Sequence, residues 1–410
     1  MLPSFLRILS RVGRRWEPLN LSNPNFIRIP ASQKIEEETI PNYIASRYYP
    51  TQIGEIFKSR YQVVGKLGFG TTSTVWLARD MDCRRYVTLK IFIKSTSMGQ
   101  QLDDELKMYK RIEQGTEFHP GRGAVRSLHD SFDVDGPEEK HRCLVHPPLW
   151  ESVLTLLHRN PVRRLPSPVL ASVLQRLFLA LDYLHTECKI IHADIKADNI
   201  MFGIADESVF SDFEERELQT PSARKELDGR TIYVSQELRM PKKWGAPVLC
   251  DFGSAVPGDI EHSEDIQPNI YRAPEVILGV PWTYSVDIWN SGCMIWDIFE
   301  GGSLFTGRDP ELQTYRSRAH LAEMITLLGP PPPSLLAQDK LSHKFFSDKG
   351  DFCAENLLQG RVRLEERETT LEGEEKVMFL RMVRKMLQWE PAKRSFAKEL
   401  EGDEWIRSYF

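Results

Sequence analysis

The feature that most constrains this chain is a change of hydrophobic period partway along it. In the first quarter, Tyr61–Leu67, Thr74–Arg79 and Tyr86–Ile93 are rich in Val, Tyr and Thr and punctuated by glycine, the pattern of strands. Later, Ser167-Pro168 forms an N-cap and first-turn pair. Leu170, Val173, Leu174, Leu177, Leu181 and Leu184 then recur at helical spacing. Val286–Phe299 has little polar face, which predicts a helix buried on all sides. Leu321–Leu328 and Lys376–Leu387 predict further helices, and Pro330–Pro333 stops the first of these. Between the two regimes, Leu102–Ile112 reads as a helix and Arg142–His146 as a strand. The class is therefore α+β. A small sheet-rich lobe with one main helix is expected at 51–146, and a larger, mostly helical lobe at 147–410. A chain of 410 residues is long enough for both and for extensions.

Two segments stand outside this pattern. Residues 203–247 are rich in Glu, Asp, Arg and Ser, contain Pro221 and Pro241, and read as a partly disordered insertion in the larger lobe. Residues 1–50 read as an extension. Its start carries Arg7, Arg11, Arg14 and Arg15 with no acid before Glu17, and Leu2, Phe5, Leu6 and Leu9 fall on one helical face. That is the composition of a mitochondrial presequence, or of a disordered basic tail.

The six cysteines form no Cys-x-x-Cys pair, which fits reduced thiols acting as small core hydrophobes rather than a disulfide frame or zinc site. Unbroken apolar runs all fall short of the ~20 residues that span a bilayer, so no transmembrane segment is expected. The net charge of −5 lacks the basic footprint of a nucleic-acid-binding protein and suits a basic peptide partner.

The chemistry concentrates in a few motifs. Gly65-Lys-Leu67-Gly68-Phe-Gly70-Thr-Thr-Ser73-Thr-Val75 is a turn between two strands in which Gly68 and Gly70 let backbone N–H groups approach phosphate oxygens. Alone, it reads equally as a tight hairpin. Lys90, in the apolar strand Val87-Thr-Leu-Lys90, needs a partner because an unpaired buried charge is costly. Glu105 on the following helix is the candidate, ahead of its neighbours Asp103 and Asp104, although such a pair could be purely structural.

His192-Ala-Asp194-Ile-Lys196-Ala-Asp-Asn199 gathers a carboxylate, an ammonium and an amide in one loop. Asp194 can accept the proton of an attacking hydroxyl, Lys196 can neutralise charge on a transferring phosphoryl group, and Asn199 can ligate magnesium. Asp251-Phe252-Gly253, after the apolar run Val248–Cys250, adds a second metal-binding carboxylate.

The 192–199 loop resembles the protein-kinase catalytic loop, His-Arg-Asp-Leu-x-x-x-x-Asn, at all but the Arg and Leu positions. Ala273-Pro274-Glu275 and Arg394 resemble the family's buried glutamate–arginine pair. Asp287 resembles the aspartate that anchors the catalytic loop. The resemblance implies a bilobal fold with ATP and Mg²⁺ as cofactors. It places Leu67, Gly68, Gly70, Val75, Lys90 and Glu105 around ATP. Lys196, two places after Asp194, is the serine/threonine-type arrangement.

Tyr271-Arg272 ahead of Ala-Pro-Glu is similar to the CMGC group. Within it, Ser73-Thr-Val-Trp76, His-Ala-Asp-Ile-Lys, Glu264-Asp-Ile-Gln267, Asp287-Ile-Trp289, the insertion and the lead-in Tyr48-Tyr-Pro-x-x-Ile-Gly54 resemble SR-protein kinases, over about residues 40–410. That implies a monomer acting on basic Arg/Ser-rich proteins of mRNA splicing, in cytoplasm and nucleus. A kinase with other substrates and a pseudokinase binding module are the alternatives.

Four departures bear on control and specificity. Ser73 stands where the glycine loop has its third glycine. Ala193 replaces the arginine that grips a phosphorylated activation loop, so constitutive activity is expected. Alignment of Leu144–Leu149 places His146 at the gatekeeper position and assigns adenine binding to the Pro147 carbonyl and the Leu149 N–H, so neither hinge proline sits where a donor is required. Glu365, Glu366, Glu368, Glu372, Glu374 and Glu375, with Asp348 and Asp351, form either a docking surface for basic repeats or a solvated face.

Overall fold

The computed structural model describes residues 15–410 except Asp228, 338–340 and Gln359. The possible targeting signal therefore lies largely outside the described residues. In chain order the strands are β1 Ile56–Phe57, β2 Tyr61–Phe69, β3 Ser73–Asp80, β4 Arg85–Lys94, β5 Asp130–Asp135, β6 Lys140–His146, β7 Ile190–Ile191, β8 Ile200–Ile204, β9 Arg224–Leu227, β10 Arg230–Tyr233, β11 Trp244–Leu249 and β12 Val256–Pro257. The long helices are α1 Gln100–Gln114, α2 Ser167–Tyr183, α3 Ser208–Gln219, α4 Ser285–Glu300, α5 Ser317–Leu328 and α6 Gly373–Met386.

The chain divides into two compact units. The first comprises residues up to Leu102, Ser127–Trp150 and Ile204–Trp244. Its centre is an antiparallel sheet in the order β1-β2-β3-β4-β6-β5. Tyr61, Val63, Trp76, Val87, Leu89, Cys143 and Val145 alternate inward from four of these strands into one core.

The insertion contributes to this unit rather than to the larger lobe, and it is ordered. In α3, Phe210 packs on Tyr86 with ring centres 5.3 Å apart, and Glu214 accepts the Tyr86 hydroxyl at 2.9 Å. Phe213 lies so close to β2 that a Cβ on Gly65 would stand 2.7 Å from its ring. The hairpin of β9 and β10 places Tyr233 in the sheet's own core. Charge-rich composition misled the sequence reading, because many of these charges are partnered. Lys225, nearly fully buried, meets Glu38 at 2.8 Å, and Glu217 accepts the Ser222 amide and hydroxyl.

The second unit holds Asp103–Arg126, Glu151–Gly203 and Gly245–Phe410, so most of α1 groups here rather than with the sheet. Helix α4 is buried along 14 of its 16 residues, as its apolar composition requires. Helix α2 starts at Ser167 itself, with Pro166 at the cap position and no side-chain capping bond; Pro168 in the first turn is what the sequence signal had right. Continued through a π-helical turn to Cys188, α2 makes a 22-residue stretch long and apolar enough to cross a membrane, which unbroken apolar runs had not revealed. Its Leu170, Leu174, Leu177 and Leu181 are buried in the unit, so it serves as a core helix. Four cysteines are buried as expected, whereas Cys83 and Cys353 are exposed.

Candidate active site

The glycine turn lies in the first unit. Strands β2 and β3 pair Gly68 with Val75 and Phe69 with Thr74, and Gly70 N–H donates to Ser73 O at 2.8 Å to close the turn. The Gly70 amide is thus spent on the hairpin. What Gly68 and Gly70 supply is space, since nothing lies within 4 Å of a Cβ built on either. Ser73 is 6% exposed, begins β3 and pairs with Phe92. The third glycine position is therefore strand here, with no need of a glycine.

Lys90 lies half-buried on β4, flanked by Val75 and Leu144, its ammonium 4.7 Å from the Phe92 ring centre. At the end of β6, His146 is fully buried and its Nδ1 lies 2.9 Å from Ser127 O. A carbonyl can only accept, so Nδ1 carries the proton. Pro147 follows half-buried and Leu149 buried.

The 192–199 loop lies in the second unit. Asp194 Oδ2 receives Lys196 Nζ at 2.7 Å and Asn199 Nδ2 at 2.9 Å, and Asn199 Nδ2 also reaches Asp194 O at 2.9 Å. These three side chains converge as the sequence spacing implied. Buried Ala193, Ile195 and Ala197 alternate with them and root the loop in the core.

Below the loop, Asp287 is fully buried at the start of α4. Its Oδ2 accepts His192 N–H at 2.8 Å and lies 2.9 Å from His185 Nε2, while its Oδ1 accepts Ala193 N–H at 2.8 Å. Ala193 sits at φ 61°, a region that costs an L-residue about 1–2 kcal/mol and persists only where neighbours hold it. Asp287 is what holds it.

His192 links this loop to the second carboxylate. Its Nδ1 accepts Asp194 N–H at 3.3 Å, so Nε2 carries the proton and donates to Cys250 O at 3.0 Å. Cys250 N–H in turn donates to Asn199 O at 2.8 Å, which sets Asn199 beside the residue preceding Asp251. Asp251 is exposed at φ 65°. Phe252 is fully buried, edge-on to His192 and to Tyr109 of α1 at 5.2 and 5.3 Å.

These residues fit a hard divalent cation. Both Asn199 amide hydrogens face Asp194, leaving its carbonyl oxygen as a ligand, and Asp251 adds an exposed carboxylate. Two oxygen ligands, completed by phosphate oxygens and water, suit an ion that keeps much of its hydration. Among the described residues no cluster of three or more His, Cys, Asp or Glu forms an all-protein cage.

Of the three acids weighed as partners of Lys90, Asp103 is exposed and Asp104 pairs with Lys107 at 2.8 Å. Glu105 is 3% exposed, with its Oε2 3.6 Å from where a Cβ on Gly253 would stand.

Glu275 and Arg394 form a bidentate pair at 2.6 Å with both side chains fully buried. Arg394 also donates to Ser285 O and Gln388 O and lies over the Trp289 ring at 5.0 Å. Four of the five guanidinium N–H groups are used, which is what makes such a pair tolerable in a core.

The segment from Gly253 to Ala273 is tied by carboxylates. Asp259 meets Arg111 of α1 at 3.2 and 3.3 Å, Glu264 meets His262 at 2.7 Å, and Asp265 meets Arg272 at 3.1 Å. His262 stacks on Trp282 at 4.6 Å. The Tyr271 hydroxyl is bound to Asp297, and burial pushes its pKa far up. Ser254 and Ser263 are exposed.

The acidic run does not form one face. Glu368 is buried, accepting the Thr370 and Leu371 amides and pairing with Lys376 at 3.1 Å. Glu365 pairs with Arg384, and Glu375 accepts the Tyr409 hydroxyl. Glu366, Glu372, Glu374, Asp348 and Asp351 are exposed.

Comparison with known proteins agrees with this geometry. The protein kinase domain family matches residues 61–406. A serine/threonine protein kinase of Aspergillus fumigatus is 42% identical over 93% of this chain and 93% of its own length. The serine/threonine-protein kinase SRPK of Physarum polycephalum is 30% identical, covering 89% and 90%. Human SRSF protein kinase 3 is 24% identical, covering 90% of each chain. A crystal structure of a kinase domain superposes with TM-score 0.67 at 22% identity, covering 88% of this chain and 99% of that one. The chain is accordingly a serine/threonine protein kinase of the SR-protein-kinase family in the CMGC group, a family that uses ATP and a divalent metal on protein substrates.

Proposed function

We propose that this kinase is active and transfers the γ-phosphoryl group of Mg·ATP to serine or threonine in basic Arg/Ser-rich segments of proteins linked to mRNA splicing. The observation that carries the activity is the Asp194 carboxylate. With Oδ2 held by Lys196 and Asn199, its Oδ1 is oriented to accept the proton of an attacking hydroxyl. Lys196 stands where charge gathers on the transferring group. Lys90 would grip the α and β phosphates, Leu67, Gly68, Gly70 and Val75 would enclose the nucleotide, and Pro147 and Leu149 would hold adenine. Asn199 and Asp251 would hold the magnesium, which would supply Lewis-acid neutralisation of phosphate charge. Carboxylate pinning of the 253–273 segment supports activity without prior phosphorylation.

The substrate class rests on kinship with the SRPK and SRSF kinases. A second reading, an active kinase with other substrates, is favoured by the broken acidic run, in which Glu365, Glu368 and Glu375 are already engaged. The test is transfer from ATP to an Arg-Ser repeat peptide and to a generic basic protein, with Asp194→Ala alongside. Wild type should label the repeat peptide, and the variant should lose roughly 10²–10⁴-fold. Transfer to the generic protein alone would select the second reading, and parity with Asp194→Ala would select a binding module. We further place the enzyme in cytoplasm and nucleus as a monomer; mitochondrial import of the tagged full chain would overturn the location.

A further inference from the structure

The lead-in Tyr48-Tyr49-Pro50 has no part in the chemistry above, yet it reaches the phosphate loop. The Tyr48 hydroxyl lies 3.1 Å from Gly70 O and 3.0 Å from Thr71 O, so its single hydrogen is shared between two carbonyls of the turn. Tyr48 is 5% exposed and packs on Tyr43 with ring centres 5.2 Å apart. Its backbone is anchored by the insertion, because Arg230 donates to Ala45 O at 2.6 Å and to Tyr48 O at 2.7 Å.

The strand entering the loop is held from the same two sources. Lys66, 1% exposed, pairs with Glu37 and lies 3.3 Å from Glu36 and 3.2 Å from Tyr233 O. Its carbonyl accepts Gln236 N–H at 2.9 Å, and its ammonium sits 5.2 Å from the ring centre of Phe69 at the loop. Apart from these contacts, the glycine turn is ordered by the Gly70–Ser73 bond and by Ile93 N–H on Thr72 O at 2.9 Å, and nothing packs around the Cβ positions of Gly68 and Gly70. Preordering it lowers the entropy lost when phosphates bind.

We propose that Tyr48 is a positioning residue for ATP, fixing the phosphate loop from outside through the Gly70 and Thr71 carbonyls. This rests on the reading of Gly68–Gly70 as the phosphate loop. The test is Tyr48→Phe in the full chain, which keeps the ring packing and removes only the hydroxyl. Tyr49→Phe is the control, since its hydroxyl goes to Glu55 at 2.5 Å and not to the loop.

One net hydrogen bond corresponds to about fivefold, so KM for ATP should rise roughly three- to tenfold in Tyr48→Phe. KM for the peptide should hold, and Tyr49→Phe should match wild type. Amide exchange at Gly70–Ser73 in the ATP-free protein, which needs no turnover, should quicken by a similar factor. An ATP KM and loop exchange within twofold of wild type, or an equal rise in Tyr49→Phe, would overturn the proposal. Absence of transfer by wild type itself would instead sink the kinase reading beneath it.

Discussion

Replacing Asp287 with asparagine isolates the support of the catalytic loop from the loop's own groups. The carboxylate accepts three hydrogen bonds with two oxygens, and no water reaches it. Asparagine offers one oxygen and one NH₂. Its least costly placement keeps the oxygen on His192 and His185 and turns the NH₂ against the Ala193 N–H. That buried donor then loses its partner, at about 1–3 kcal/mol, while the two remaining bonds lose their charge assistance at about 1 kcal/mol each. The total is about 3–5 kcal/mol. In a unit of roughly 240 residues this lowers Tm by about 6–20 °C.

The activity effect has a separate origin. Released from Asp287, Ala193 relaxes from φ 61°, and Asp194 moves with it. A shift of about 1 Å at a proton acceptor costs on the order of 10²-fold in kcat. ATP affinity should hold, because the phosphate loop shares no partner with Asp287. Differential scanning calorimetry and steady-state kinetics on Asp287→Asn read both numbers. A Tm within 2 °C of wild type together with a kcat within threefold would refute the claim that this carboxylate holds the loop.

Three further outcomes follow from particular contacts. Gly65→Ala should destabilise the protein by about 1–3 kcal/mol in urea unfolding, because the new Cβ meets the Phe213 ring at 2.7 Å, and Phe213→Leu should recover part of the loss. Burial pushes His320 down to about 3, so between pH 6.5 and 3 the unfolded chain binds a proton that the folded chain refuses. Stability should fall on acidification by about 1.4 kcal/mol per pH unit from this residue, near 2 kcal/mol at pH 5, and His320→Gln should flatten that slope in pH-resolved melts. Phosphatase treatment of the purified kinase should change its activity less than twofold in a peptide assay, since Asp259, Glu264 and Asp265 already engage Arg111, His262 and Arg272.

What could be read from the sequence is what lies close together in it. Asp194, Lys196 and Asn199 fall within six residues, so their convergence needs only a loop, and spacing alone implied it. Strands β2, β3, β4 and β6 and helix α4 were legible for a similar reason, since each carries its burial pattern in its own composition, whereas β1 and β5 do not. The support of the site is not local. Asp287 reaches His192 across 95 residues and Arg394 reaches Glu275 across 119, and only resemblance to a family brought these out.

The insertion shows where both kinds of signal fail. Its charges read as disorder because composition reports how many there are and not what they meet. Lys225 meets Glu38 from 187 residues away, and Glu217, its pKa raised by burial, caps Ser222 and Gln236. A buried, paired charge and a solvated one look alike in a sequence, and they differ in what removing one partner costs. For the same reason Gly65 read as part of a phosphate loop. Its lack of a side chain makes room for Phe213, a residue 148 positions later in the chain, so the first glycine of that motif serves packing while the next two serve the turn.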